Sequence, residues 1–140
     1  MRRTSATTAT GSVTEQSTSD EITVSTTSSV WWVRDGQVTD RLLDPTRLGL
    51  ELHPIEALRG GDAAHNAQVV RDTFAGADGA VRDAVLLNTG IALALTRADT
   101  GSDDAAFHDD VRDAMALAAA AIDSGAATAV VERWVAATRA

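Results

Sequence analysis

The sequence predicts an α/β fold in which short strands and a hairpin come first and four helices follow. Three observations carry that prediction. Asp35-Gly36 stands between two β-rich runs, apolar spacing changes from a period of two to one near 3.6 beyond Pro54, and helix-length segments separated by glycine and aspartate punctuation occupy the rest. At 140 residues the chain is long enough for one domain with a core, because about 150 residues bury roughly 70% of their unfolded surface.

Ser and Thr fill more than half of residues 1–19, and aliphatic side chains are scarce there. Such a segment buries too little apolar surface to offset its ordering entropy, so residues 1–19 read as a disordered Ser/Thr-rich tail. Residues 20–43 read as strand. Ile22 and Val24 alternate with polar neighbours, and SSVWWVRDGQVTDRLL forms a hairpin from about Ser29 to Leu43, because both positions of an Asp-Gly turn accept positive φ. Trp31 and Trp32 then face opposite sides of the strand, so at most one of them joins the core.

LDPTRLGLELHP, residues 43–54, is a connector in which Pro45 and Pro54 hold the residues before them extended. Helical spacing starts after it. Ala63, Ala67, Val70 and Phe74 share one face behind Asp62, a good N-cap, and Gly76 closes the segment. A second helix, Ala80 to about Arg97, is apolar on nearly every side, as a central buried helix would be. A third, Ser102 to Ile122, carries Phe107, Val111, Met115, Ala118 and Ile122 in a stripe, and a fourth follows Asp123-Ser124-Gly125 with Val130, Val131, Trp134 and Val135 clustered.

The formal net charge is −8, so the protein's field repels phosphate backbones and anionic membrane surfaces. Nucleic acid and membrane are therefore not expected partners. No run approaches the roughly 18 apolar residues of a bilayer span, and the N-terminus lacks the apolar stretch of a secretory signal; the cytoplasm is the expected location. Cysteine is absent and all twelve basic residues are arginine. Thiolate chemistry, disulfides, Schiff bases and the lysine of a nucleotide P-loop are thereby excluded.

Few side chains group into chemistry. Gly60-Gly61-Asp62 before a helix has the outline of a phosphate cradle, but a carboxylate at Asp62 competes with an anion for the same first-turn amides, which favours a capped turn. The adjacent carboxylates of Asp20 and Glu21 could hold Mg²⁺ through oxygen ligands, although an exposed acidic pair is more often simply solvated. His53 reads as a loop histidine and His65 as a surface or capping neighbour. His108 sits among Asp103, Asp104, Asp109 and Asp110, acids that a helix dipole favours in a first turn. Ser124 lacks the strand-to-helix elbow of a hydrolase nucleophile.

From Asp20 onward, DEIT at 20–23, VWWVRDGQV at 30–38, LDPTRLGL at 43–50, EALRGGDAAHNAQVVRDTFAG at 56–76, RDAVLLNTGIALAL at 82–95 and AIDSGAATAVVERWVAAT at 121–138 resemble the C-terminal part of anthranilate phosphoribosyltransferase. The resemblance implies the C-terminal part of a phosphoribosyltransferase/nucleoside-phosphorylase-like catalytic domain over residues 20–140. The reaction it implies is transfer of phosphoribosyl from phosphoribosyl pyrophosphate (PRPP) to anthranilate with Mg²⁺, a step of tryptophan biosynthesis. Asp20 and Glu21 look like that family's magnesium-holding pair, and Gly60-Gly61-Asp62 aligns with a framework turn. The family's Gly-Thr-Gly-Gly-Asp phosphate loop and its anthranilate-binding Asn, His and Arg have no counterpart here, so the resemblance implies a truncated chain inactive alone. The competing expectation is a non-catalytic helical interaction or scaffold module. In either case self-association through apolar surface of the 81–95 helix is expected.

Overall fold

A computed structural model describes residues 21–34, 36–96 and 103–139. The Ser/Thr-rich segment 1–19, Asp20, Asp35 and Ser102 lie outside the described residues. A hairpin comes first, β1 (Ser28–Arg34) and β2 (Gln37–Leu43), then α1 (Ala63–Phe74), α2 (Ala80–Thr96), α3 (Asp104–Asp123) and α4 (Ala126–Ala137). Single 3-10 turns at Pro45–Leu48 and Ile55–Leu58 punctuate the connector. The predicted α/β order of a hairpin and four helices holds.

The hairpin register pairs Trp31 with Asp40, Trp32 with Thr39 and Val33 with Val38, and Gly36 in its turn has φ of 77°. Alternation sends Val30, Trp32 and Leu43 into the core and leaves Trp31, Val33, Val38 and Leu42 exposed. Trp32 meets Phe107 of α3 edge to face, with ring centroids 5.4 Å apart. The Arg41 guanidinium lies 5.2 Å from the centroid of that Phe107 ring and donates to the Asp103 carbonyl at 2.9 Å. One aromatic contact and one arginine thus seat the hairpin on the start of α3.

The core is the seam between α2 and α3. Leu86, Leu87, Ile91 and Ala94 are buried on α2; on α3 the predicted stripe of Phe107, Val111, Met115, Ala118 and Ile122 is buried throughout. Asp103 caps α3 by accepting from the Ala106 N–H at 2.9 Å. Arg82 closes the far end of the seam with a 2.7 Å bond to Asp123. Among the described residues no single helix is long and apolar enough to cross a membrane.

The strand expected over residues 20–43 needs correction, and the helices differ in how far their apolar faces are covered. Residues 21–27 are not strand, because the alternation of EITV at 21–24 needs a neighbouring strand and the hairpin starts only at Ser28; Ile22 and Val24 are nevertheless buried. The face of Ala63, Ala67, Val70 and Phe74 does not enter the core: α1 buries only Thr73, with Phe74 half-buried. Helix α4 buries no residue, and Trp134 is 68% exposed. Conversely, α2 is better covered than expected, leaving Leu95 as its exposed large apolar side chain. Periodicity marks which face is apolar, but other parts of the chain decide whether that face is covered.

Candidate functional site

The segment that follows Asp20-Glu21 is held in place by side chains. Asn88, in the middle of α2, accepts from the Ile22 N–H at 3.1 Å through Oδ1 and donates from Nδ2 to the Ile22 carbonyl at 2.8 Å. The same Nδ2 donates to the Ala84 carbonyl one turn back at 2.9 Å, which fixes the rotamer of the amide. One carboxamide therefore satisfies both polar groups of the Ile22 residue, as a neighbouring strand would. Two residues on, the Val24 carbonyl accepts from the His53 N–H at 3.1 Å. Ile22 and Val24 are buried beneath these bonds, and Glu21, directly before them, is exposed.

His53 is more than a loop histidine. Its Nε2 lies 2.7 Å from an Asp83 carboxylate oxygen on α2, with both side chains largely buried. The backbone of His53 grips Val24 while its ring grips α2, so segment 22–24 is tied to that helix twice. Sequence reasoning missed this because Asp83 lies thirty residues away. Asn88 left a readable signal: a lone amide inside the apolar run LLNTGIALAL must find partners if the helix is buried.

The glycine-rich turn at residues 60–62 is occupied by its own chain. Asp62 Oδ1 accepts from the His65 N–H at 2.8 Å. Asn66 Oδ1 accepts from the Gly61 N–H at 2.8 Å, and its Nδ2 donates to the Gly61 carbonyl at 3.0 Å. A Cβ on Gly60 would stand 3.1 Å from Asn66 Oδ1, and one on Gly61 would stand 2.8 Å from the His65 ring. Glycine is needed so that two side chains can fold back on the turn, and the amides that would hold an anion at Gly61 and His65 are already bonded. The capped-turn reading stands.

His108 is buried and structural. Its Nδ1 donates to the Asp104 carbonyl at 2.7 Å and its Nε2 accepts from the Asp44 N–H at 3.3 Å, which assigns the Nδ1–H tautomer. The acids around it are committed elsewhere: Asp103 caps α3, Asp104 pairs with Arg47, and Asp109 bonds Arg112 at 2.5 Å. Arg47 holds the Asp104 carboxyl below its ordinary value. Ser124 is the exposed C-cap of α3. Among the described residues no three His, Cys, Asp or Glu side chains group as metal ligands.

A family model described as the glycosyl transferase family, a/b domain, matches residues 5–128, beginning inside the Ser/Thr-rich segment. Curated relatives carry the name anthranilate phosphoribosyltransferase. That of Streptomyces avermitilis is 51% identical over 121 residues, which is 86% of this chain and 33% of the relative. That of a Nocardioides species is 50% identical over 119 residues, 85% of this chain and 34% of the relative; that of Thermobifida fusca is 50% identical over 116 residues, 83% and 32% respectively. The chain thus spans about a third of the length of the curated relatives it matches.

Proposed function

Because the chain belongs to the glycosyl transferase family with the α/β domain, we propose that it is the C-terminal portion of an anthranilate phosphoribosyltransferase and is inactive alone. The reaction of the complete enzyme is transfer of phosphoribosyl from PRPP to anthranilate, in the tryptophan pathway of the cytoplasm. The observation that carries the reading is identity near one half, maintained over some 120 residues with relatives of that name. Identity at that level, over a stretch that includes the hairpin, the glycine turn and α2, supports shared roles for shared residues.

Asp20 and Glu21 are the residues that would hold Mg²⁺. Two adjacent carboxylates offer only hard oxygen donors, and Mg²⁺ is commonly held by one or two carboxylates together with substrate phosphates. The exposure of Glu21 suits a group that meets a ligand from solvent. Mg²⁺ bound there supplies charge neutralisation for a departing pyrophosphate. The described residues contribute the platform: α2 carries Asn88 and Asp83, and these hold the backbone from Ile22 to Val24 directly and through His53. Donors for the diphosphate and a pocket for anthranilate belong to the two thirds of the enzyme outside this stretch. Without that positioning most of the rate is lost.

The test is direct. Purified chain with PRPP, Mg²⁺ and anthranilate should leave anthranilate fluorescence unchanged; a steady fall would show a competent site and overturn the reading of an incomplete one. A second reading, a non-catalytic helical interaction or scaffold module, draws on the exposed apolar side chains of α4, Val130 and Trp134.

A further inference from the structure

Helices α1 and α4 leave an open groove between them. Its apolar walls are Val70 and Phe74 of α1 and Val131 and Val135 of α4. Val131 and Val135 are only half-buried and Ala136 beside them is exposed. An apolar strip at helical spacing packs by preference against another helix. The same face of α4 carries two charges, Glu132 and Arg139, which also line the groove. Both are exposed, and among the described residues neither has a hydrogen-bond or ion-pair partner.

Their placement is self-complementary. Positions 132 and 139 are two helical turns apart, about 10 Å, and so share one side of the helix. The helical path reaches Arg139: the Thr138 N–H bonds the Trp134 carbonyl at 3.0 Å, and the Arg139 N–H bonds the Ala136 carbonyl at 3.3 Å. When two copies of α4 lie antiparallel, a twofold axis midway between the charges brings Glu132 of each copy against Arg139 of the other. That axis falls beside Val135 and Ala136, an apolar pair with a small member, where two helices approach most closely. A twofold contact requires one patch that complements itself, and this face of α4 meets the requirement. Arg71, the cation on the α1 side, already donates to Gln68 at 3.2 Å.

We propose that the α1–α4 groove seats a second copy of this chain, with the two α4 helices antiparallel and Glu132 of each paired with Arg139 of the other. The apolar walls supply the drive. The two ion pairs, exposed and individually weak, set direction and register, because a parallel pairing in register puts like charges side by side. Val130 and Trp134, exposed on the adjacent strip of α4, stand at the flank of the contact. The inference goes beyond the phosphoribosyltransferase reading and does not depend on it.

The experiment is sedimentation of the full chain over a range of protein concentrations at one fixed salt concentration, with circular dichroism to show that each variant is folded. The parent should show a reversible monomer–dimer equilibrium. Glu132→Arg and Arg139→Glu each set like charges together twice per dimer, and each should weaken dimerisation by about tenfold or more. The double variant Glu132→Arg/Arg139→Glu should recover the parent's dimerisation to within about threefold, since both pairs are restored with their signs exchanged. An equimolar mixture of the two single variants should form a mixed dimer, because each pair across it then joins opposite charges. Both single variants keep a net negative charge, so attraction between whole molecules does not produce that mixed species. A parent that stays monomeric overturns the proposal and leaves the groove to a different occupant. Dimerisation unchanged in both single variants overturns the Glu132–Arg139 pairing, and so does a loss that neither the double variant nor the mixture restores.

Discussion

A Cβ built at Gly90 would stand 2.5 Å from Met115 Cγ and 3.2 Å from the Val111 carbonyl oxygen, so α2 and α3 approach at a point where a methyl group does not fit. Glycine inside a helix costs about 1 kcal/mol relative to alanine, and a position chosen for propensity alone would gain from Gly90→Ala. Here the nearest backbone atom belongs to the facing helix and cannot rotate away. Overpacking of this kind costs about 1–3 kcal/mol, enough to exceed the propensity gain. Gly90→Ala should therefore lower the urea midpoint of unfolding with little change in the slope, and a midpoint at or above that of the parent would refute the close-approach argument. The asparagines work by the opposite device. Asn66 and Asn88 each extend a carboxamide to a peptide that has no strand beside it, so that side-chain chemistry replaces missing regular structure.

Between hairpin and bundle, the Pro45–Leu48 turn is docked onto α3 by three polar contacts and closed by a cap of its own. Arg47 pairs with Asp104, Arg112 donates to the Arg47 carbonyl at 2.6 Å, His108 accepts from the Asp44 N–H, and Asp44 caps the turn through the Thr46 hydroxyl and amide at 2.7 and 2.9 Å. The Thr46 hydroxyl chiefly holds the Asp44 carboxyl below its ordinary value, against a smaller opposing effect of burial. A carboxyl whose folded value is depressed contributes stability above the unfolded value and loses it as pH falls toward the folded one. Asp44→Asn should thus unfold at a lower temperature than the parent at about pH 6, and the gap should narrow at a pH well below the ordinary aspartate value of about 3.9, as the parent's carboxyl takes up its proton. An equal gap at both pH values would show that the cap does not depend on charge. The turn also shows what sequence could reveal. The hairpin and α3 were legible because an Asp-Gly turn, an aspartate cap and a five-residue stripe are local signals. The docking of residues 44–47, the Asn88 grip and the His53–Asp83 pair were not, because each joins positions thirty or more apart. For the acidic pair, only the resemblance pointed to a role: its composition alone is that of solvated surface.

Two groups stand out among the exposed apolar side chains. The outer hairpin face shows Trp31, Val33, Val38 and Leu42, and α4 shows Val130 and Trp134. Beside α4 a groove of about 610 Å³ runs toward α1 between Phe74, Val131 and Val135, with Arg71, Glu132 and Arg139 at its rim. Exposed patches of this kind drive association when nothing covers them. The apolar 81–95 helix, where such surface was expected, is largely covered by α3, so the drive moves to α4 and the hairpin. A net charge of −8 opposes association at low ionic strength, and salt weakens that repulsion because the Debye length falls from about 30 Å at 0.01 M to about 10 Å at 0.1 M. The weight-average sedimentation coefficient should therefore rise with added NaCl. Trp134→Glu removes the most exposed aromatic on α4 and adds charge where contact would form, so it should hold the coefficient near the monomer value in both salts. A salt-dependent rise that survives this substitution would move the contact to the hairpin face, where Trp31→Glu would be the variant to abolish it. A single stoichiometric species at all salt concentrations would favour an interaction module, whereas a broad, salt-driven distribution fits apolar faces that belong against the rest of a larger enzyme.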